Sequence, residues 1–75
     1  MKDLLTILAK NLVSDPDQVR VEEDVQDGVV TLRLKVGEED MGKVIGKQGR
    51  IARAIRTVVK AAAINENIKV NVEIS

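Results

Sequence analysis

Val44-Ile45-Gly46-Lys47-Gln48-Gly49-Arg50-Ile51 is the stretch on which the reading of this 75-residue chain turns. Two apolar β-branched residues lead into a Gly-x-x-Gly tetrapeptide whose tip carries Lys47 and Gln48. Glycine lets the backbone turn sharply and lets another molecule approach the main chain without meeting a Cβ. The segment after the turn reads as a helix from about Arg50 to Ile64. A helix starting there leaves unpaired N–H groups and the positive end of its dipole at the turn, an arrangement that favours phosphate.

Charge around the loop is unevenly spread. The chain carries 12 Lys+Arg and 12 Asp+Glu, for a net charge of zero. Between Met41 and Ile64, six basic residues (Lys43, Lys47, Arg50, Arg53, Arg56 and Lys60) stand with no acidic one. Acidic side chains collect instead in Asp15 to Asp27 and in Glu38-Glu39-Asp40. An anionic partner responds to the local field more than to the sum over the chain.

Within the long helix, Ile51, Ile55, Val58, Val59 and Ala62 share one side, with Arg50, Arg53, Arg56 and Lys60 opposite. Asn65-Glu66-Asn67 ends it, and Ile68, Val70, Val72 and Ile74 alternate as a last strand. Before the loop, Met41 to Ile45 reads as a short helix, with Glu38-Glu39-Asp40 supplying a cap and favourable charge. Gly37 closes a strand in which Val30, Leu32, Leu34 and Val36 face in and Thr31, Arg33 and Lys35 face out. Asp27-Gly28 signals a hairpin, because a tight turn needs positive φ. The strand before it, Val19 to Val25, alternates except at Glu23, whose charge on the apolar side marks a sheet edge. The chain opens on a helix capped by Asp3 and running to about Val13, with Leu4, Leu5, Leu8 and Leu12 on one face. Ser14-Asp15-Pro16-Asp17 ends that helix.

The resulting order, α-β-β-α-α-β, is that of an α+β fold in which residues 1–75 make one small domain. Two helices between the second and third strands form a crossover, so those strands run parallel, while the hairpin pair runs antiparallel. A three-stranded mixed sheet with three helices on one face is the expected architecture.

Composition excludes several classes. With no Phe, Tyr or Trp, the core falls to Val, Ile, Leu and Ala. A chain this short buries only about 60% of its unfolded surface and gains from a partner. Absence of cysteine removes disulfides and thiolate metal sites. Asp3, Lys10 and Asn11 interrupt the first apolar run, and nothing approaches the roughly 18 apolar residues of a membrane span, so the chain reads as soluble and cytoplasmic. There is no His or Cys, and Ser14 and Ser75 sit at a helix end and the chain terminus. We therefore expect no enzyme, catalytic residue, metal or cofactor. The run from Gly42 to Gln48 is not a nucleotide-binding loop: it has one residue too few between its glycines, and Gln48 stands where a Mg²⁺-binding Ser or Thr is needed.

The stretch from Val44 to Ile51 resembles the signature of the KH domain, and the element order is similar to the type II, prokaryotic form. The resemblance covers essentially the whole chain. Glu39-Asp40-Met41-Gly42-Lys43 before the signature and Ala54-Ile55-Arg56 after it resemble the small bacterial KhpA-type RNA-binding proteins. It implies that the glycine turn holds the backbone of about four single-stranded nucleotides, with their bases in an adjoining apolar groove. On this chain Gly46 and Gly49 would permit the approach, and Lys47 and Gln48 would meet phosphates. Lys43, Arg50 and Arg53 would add charge. One of Val44 and Ile45, with Ile51 and a strand-two side chain near Leu34, would floor the groove. Arg56 and Lys60 read as a solvated face. The family further implies a homodimer or pairing with a second KH-containing protein, and a role in post-transcriptional regulation or as an RNA chaperone. Ala54, Ala61 and Ala62 offer smooth ground for a helix contact, which could then compete with RNA.

Two features weaken single-copy binding. The loop Gln26-Asp27-Gly28 is short, so the wall expected opposite the glycine turn is low, and no aromatic is present for stacking. Weak, sequence-tolerant, salt-sensitive binding follows, reinforced by a second domain. A protein-interaction adaptor of KH-like fold, or a single-stranded DNA binder, is the alternative.

Overall fold

The computed structural model of the chain describes residues 1–74; Ser75, one of the serines weighed above, lies outside them. The elements are helix α1 (Lys2–Leu12), strand β1 (Arg20–Gln26), strand β2 (Val29–Lys35), helix α2 (Met41–Ile45), helix α3 (Arg50–Asn65) and strand β3 (Lys69–Ile74). Short 3-10 turns occupy Pro16–Gln18, Glu38–Asp40 and Lys47–Gly49. The sheet order is β1-β2-β3, antiparallel in its first pair and parallel in its second. Asp27 (φ 53°) and Gly28 (φ 77°) both adopt the positive φ that a two-residue hairpin demands. Glu23 faces Leu32 across the first pair and stays exposed, because β1 is an edge.

Leu32 and Leu34 of β2 and Val70 and Val72 of β3 point to one side of the sheet. There they join Leu5 and Ala9 of α1, Val44 of α2, and Ile55, Val59 and Ala63 of α3 in one buried cluster. All three helices therefore cover the same face. The other face is held by charge: Arg33 lies 3.4 Å from Glu73 and 4.0 Å from Asp24, and Lys35 lies 2.9 Å from Glu22. Helix α3 ends in a Schellman arrangement. Ile68 N–H donates to the Ala63 carbonyl (2.9 Å) and Asn67 N–H to that of Ile64 (3.0 Å), with Asn67 left-handed at φ 60°.

Details of both long helices depart from the periodicity reading. Asp3 lies in the first turn of α1 and caps nothing; the N-cap is Met1. Leu5 and Ala9 are the residues of α1 that are buried, and Leu12 remains 37% exposed. In α3 the buried residues are Ala52, Ile55, Val59 and Ala63, while Val58 is 46% exposed. The apolar arc of each helix is wider than its buried stripe. Alanines 9, 52 and 63 belong to the buried stripes, which a count of large apolar residues misses.

Asp40 is 2% exposed. It stands at the N-cap of α2, yet its carboxylate caps nothing there. It accepts the main-chain N–H groups of Ser14 (3.0 Å) and Asp15 (3.1 Å), tying the end of α1 to the start of α2. Lys43 Nζ lies 3.4 Å from Asp40 Oδ1 and also contacts Ser14 Oγ. The Ser14 amide, then the Asp15 amide and Lys43, hold this carboxyl below the usual aspartate range against the opposing effect of burial. A group whose folded pKa is depressed adds stability that is complete above its unfolded value, about 3.9, and lost as pH falls through the folded one. Asp40→Asn keeps one acceptor oxygen for two amides and removes the charge facing Lys43. It is expected to lower thermal stability at neutral pH and to narrow the gap to wild type below about pH 4, measured by calorimetry across pH.

Candidate nucleic-acid interface

Helix α2 stops because Gly46 takes φ 74°, ψ 176°, a region open in practice only to glycine. Gly46 N–H still closes the helix on Gly42 O (2.9 Å). Gln48 (φ 57°) and Gly49 (φ 74°, ψ 16°) are left-handed, so three of the four loop residues carry positive φ. Gly49 N–H donates to Gly46 O (3.2 Å) and Arg50 N–H to Lys47 O. The amides of Gly49 and Arg50, expected to be free at the head of α3, are thus consumed by the turn itself. Those of Lys47 and Gln48 find no carbonyl among the described residues, and both side chains are exposed. Successive outward amides in such a turn make a concavity that suits an anion.

The two glycines serve different ends. A Cβ on Gly46 would lie 2.6 Å from Ile51 Cγ1 and 2.9 Å from Ile51 Cβ, so the loop is folded onto that side chain. A Cβ on Gly49 would meet nothing within 4 Å. Gly49 is the open side of the loop.

The remaining residues of the sequence reading sort by geometry. Val44 and Leu34 are fully buried core residues and floor no groove. Ile45, 36% exposed, is the member of the Val44-Ile45 pair that reaches the surface. Lys43 is drawn to Asp40, whereas Lys47, Arg50, Arg53 and Lys60 have no acidic partner among the described residues. The basic residues of α3 do not form one cluster. Arg56 Nε donates to the Val72 carbonyl on the free edge of β3 (3.2 Å), so Arg56 is no merely solvated side chain. Lys60 lies beside Ile68, Lys69 and Val70. Arg53, one turn before Arg56, continues that flank toward the loop. Arg50 instead borders an apolar groove of about 370 Å³ between α1 and α3, lined also by Leu8, Leu12, Ile51, Ala54 and Val58.

The short hairpin is not the wall opposite the loop. Val29 pairs with Lys69, which puts the Asp27-Gly28 turn at the start of β3 and hence at the far end of α3. Sequence reading missed Asp40 as a buried anchor and Arg56 as a cap on the sheet edge. No local signal marks either, since both bond to partners 16 or more residues away.

The sequence profile described as KhpA/KhpB, KH domain, matches residues 2–74. The chain belongs to this family. KhpA/KhpB KH domains are RNA-binding rather than enzymatic units. Among similar proteins, RNA-binding protein KhpA of Clostridium perfringens is 65% identical over 99% of both chains. RNA-binding protein KhpA of Bacillus subtilis is 47% identical over 99% of this chain and 91% of its own. Among solved structures, Era of Aquifex aeolicus bound to GDP.AlF4 aligns with a TM-score of 0.68 at 18% identity. A second Era structure, with MgGDPNP and nucleotides 1506–1542 of 16S ribosomal RNA, aligns with a TM-score of 0.62 at the same 18% identity. Each alignment covers 97% of this chain and 28% of the Era chain, a likeness of fold to one part of Era.

The contrast between the glycines is measurable. Gly46→Ala combines backbone strain with displacement of Ile51 and is expected to destabilise by ~3 kcal/mol. Gly49→Ala meets only the left-handed penalty, about 1 kcal/mol. Urea unfolding of the two variants should rank them in that order.

Proposed function

We propose that this chain binds single-stranded RNA, with Gly46 to Gly49 holding the sugar–phosphate backbone. The observation that carries the reading is the pair of unbonded amides at Lys47 and Gln48, on a corner fixed by Gly46 and open at Gly49. Lys47 and Arg50 set positive charge at that corner with no acidic partner among the described residues, and Arg53 extends it along α3. Ile45 and Ile51 supply apolar surface beside the loop. Lys43 contributes mainly through its field, since its ammonium is shared with Asp40. The names of the relatives and the RNA in the second Era structure support RNA as the ligand. With no aromatic platform, binding leans on phosphate contacts, and affinity falls steeply with salt.

The groove between α1 and α3 favours a protein contact as well. We infer that it seats a second copy of the chain or another KH-containing protein, giving the two-domain avidity that a weak single site needs. Groove and basic flank lie on roughly opposite sides of α3, by about 200° between Arg56 and Val58 at 100° per residue. Association through the groove therefore leaves the Arg53 and Arg56 flank open, while Arg50 and Ile51, which border both groove and loop, are where partner and RNA meet. In the cell this amounts to a cytoplasmic role in post-transcriptional regulation, as an RNA chaperone or regulator.

Two measurements test these readings. Lys47→Asp with Gln48→Asp is expected to weaken RNA binding by on the order of tenfold or more in fluorescence anisotropy, with the circular dichroism spectrum unchanged. An adaptor whose only ligand is a protein would keep its activity in that variant. Val58→Asp places a charge in the apolar groove and is expected to shift a dimer to monomer in sedimentation; a wild-type monomer at all concentrations removes the dimer.

A further inference from the structure

At the end of α3 away from the glycine loop lies a second cavity, of about 230 Å³, lined by Lys60, Ala63, Ile64, Ile68, Lys69 and Val70. Ile64 is 75% exposed and Ile68 36% exposed, although both flank a helix end that is already closed by main-chain hydrogen bonds. Neither isoleucine is needed to finish the core. Lys60 and Lys69 stand on either side of this apolar floor, and neither has an acidic partner among the described residues. An apolar seat between two unneutralised ammonium groups fits a flat heterocycle with phosphates on both sides. It fits a neutral lipid or an acidic side chain less well: the first leaves the lysines unused, the second the isoleucines.

The cavity is also in line with the loop. Arg53, Arg56 and Lys60 follow one flank of α3, and Arg56 lies on the β3 edge midway along it. Fourteen residues separate Arg50 from Ile64, about 21 Å of helix at 1.5 Å per residue, a distance that a short run of unpaired nucleotides can span. We propose that this cavity is a distal nucleotide seat. It receives a base against Ile64 and Ile68, with Lys60 and Lys69 on the flanking phosphates, and so lengthens the RNA footprint beyond the loop. The proposal rests on RNA binding at the glycine loop and adds to it a dependence on strand length.

The test compares randomised tetranucleotide and octanucleotide RNA pools on the full chain by anisotropy at several salt concentrations. Removal of two phosphate contacts should reduce the log–log salt slope by about 1.4, at roughly 0.7 per contact on a single strand. The double variant Lys60→Ala with Lys69→Ala is expected to lose that much for the octanucleotide and nothing for the tetranucleotide. Ile64→Ser, at an exposed position, should weaken the octanucleotide several-fold and spare the tetranucleotide. An unchanged octanucleotide slope in the lysine variant overturns the seat, whether or not polyglutamate binds there instead, provided that Lys47→Asp with Gln48→Asp abolishes binding of both lengths. If that loop variant leaves both lengths bound, loop binding itself fails, and the distal seat falls with it.

Discussion

The chain can pass from α2 to α3 in this way only because residue 46 has no side chain. Its backbone takes a conformation reserved for glycine, and the space a Cβ would fill is already held by Ile51, the second residue of α3. That close approach sets the loop against the start of α3, with Lys47 and Gln48 exposed. Gly49, by contrast, has open space where a Cβ would stand. The loop is a corner set by a steric requirement at residue 46.

A second anchor works at longer range. The carboxylate of Asp40 collects two amides at the end of α1 and an ammonium from α2, binding the first helix to the element that carries the loop. Helix α1, also held by the buried Leu5 and Ala9, lies beside α3 with the groove between them. Helix α3 is thus divided lengthwise into a buried stripe, an apolar flank toward α1 and a basic flank toward β3. In an aromatic-free chain of 75 residues, one helix thus presents three chemically distinct faces.

The element order, the hairpin, the parallel crossover and the place of the loop were legible in sequence because each depends on chemistry within a few residues. Asp27-Gly28 needs positive φ, alternation at Leu32 and Leu34 needs a sheet face, and the glycines at 46 and 49 need a turn. What was not legible was the orientation of side chains about each helix. An apolar arc that includes Val58 and Leu12 does not say which part of it meets the sheet, and the small side chains of alanines 9, 52 and 63 give no sign of their burial.

By itself, then, the sequence determined the α-β-β-α-α-β scaffold and a basic glycine corner, since backbone preference and periodicity act locally. Tertiary structure alone decided that Asp40 is an interior anchor, that Lys43 is tied to it, and that Arg56 caps the edge of β3. It also decided that the amides of Gly49 and Arg50 are spent within the turn, while those of Lys47 and Gln48 find no main-chain carbonyl among the described residues. Those outcomes depend on contacts between segments distant in the chain or on how one turn spends its own hydrogen bonds, and neither is written in the spacing of residue types.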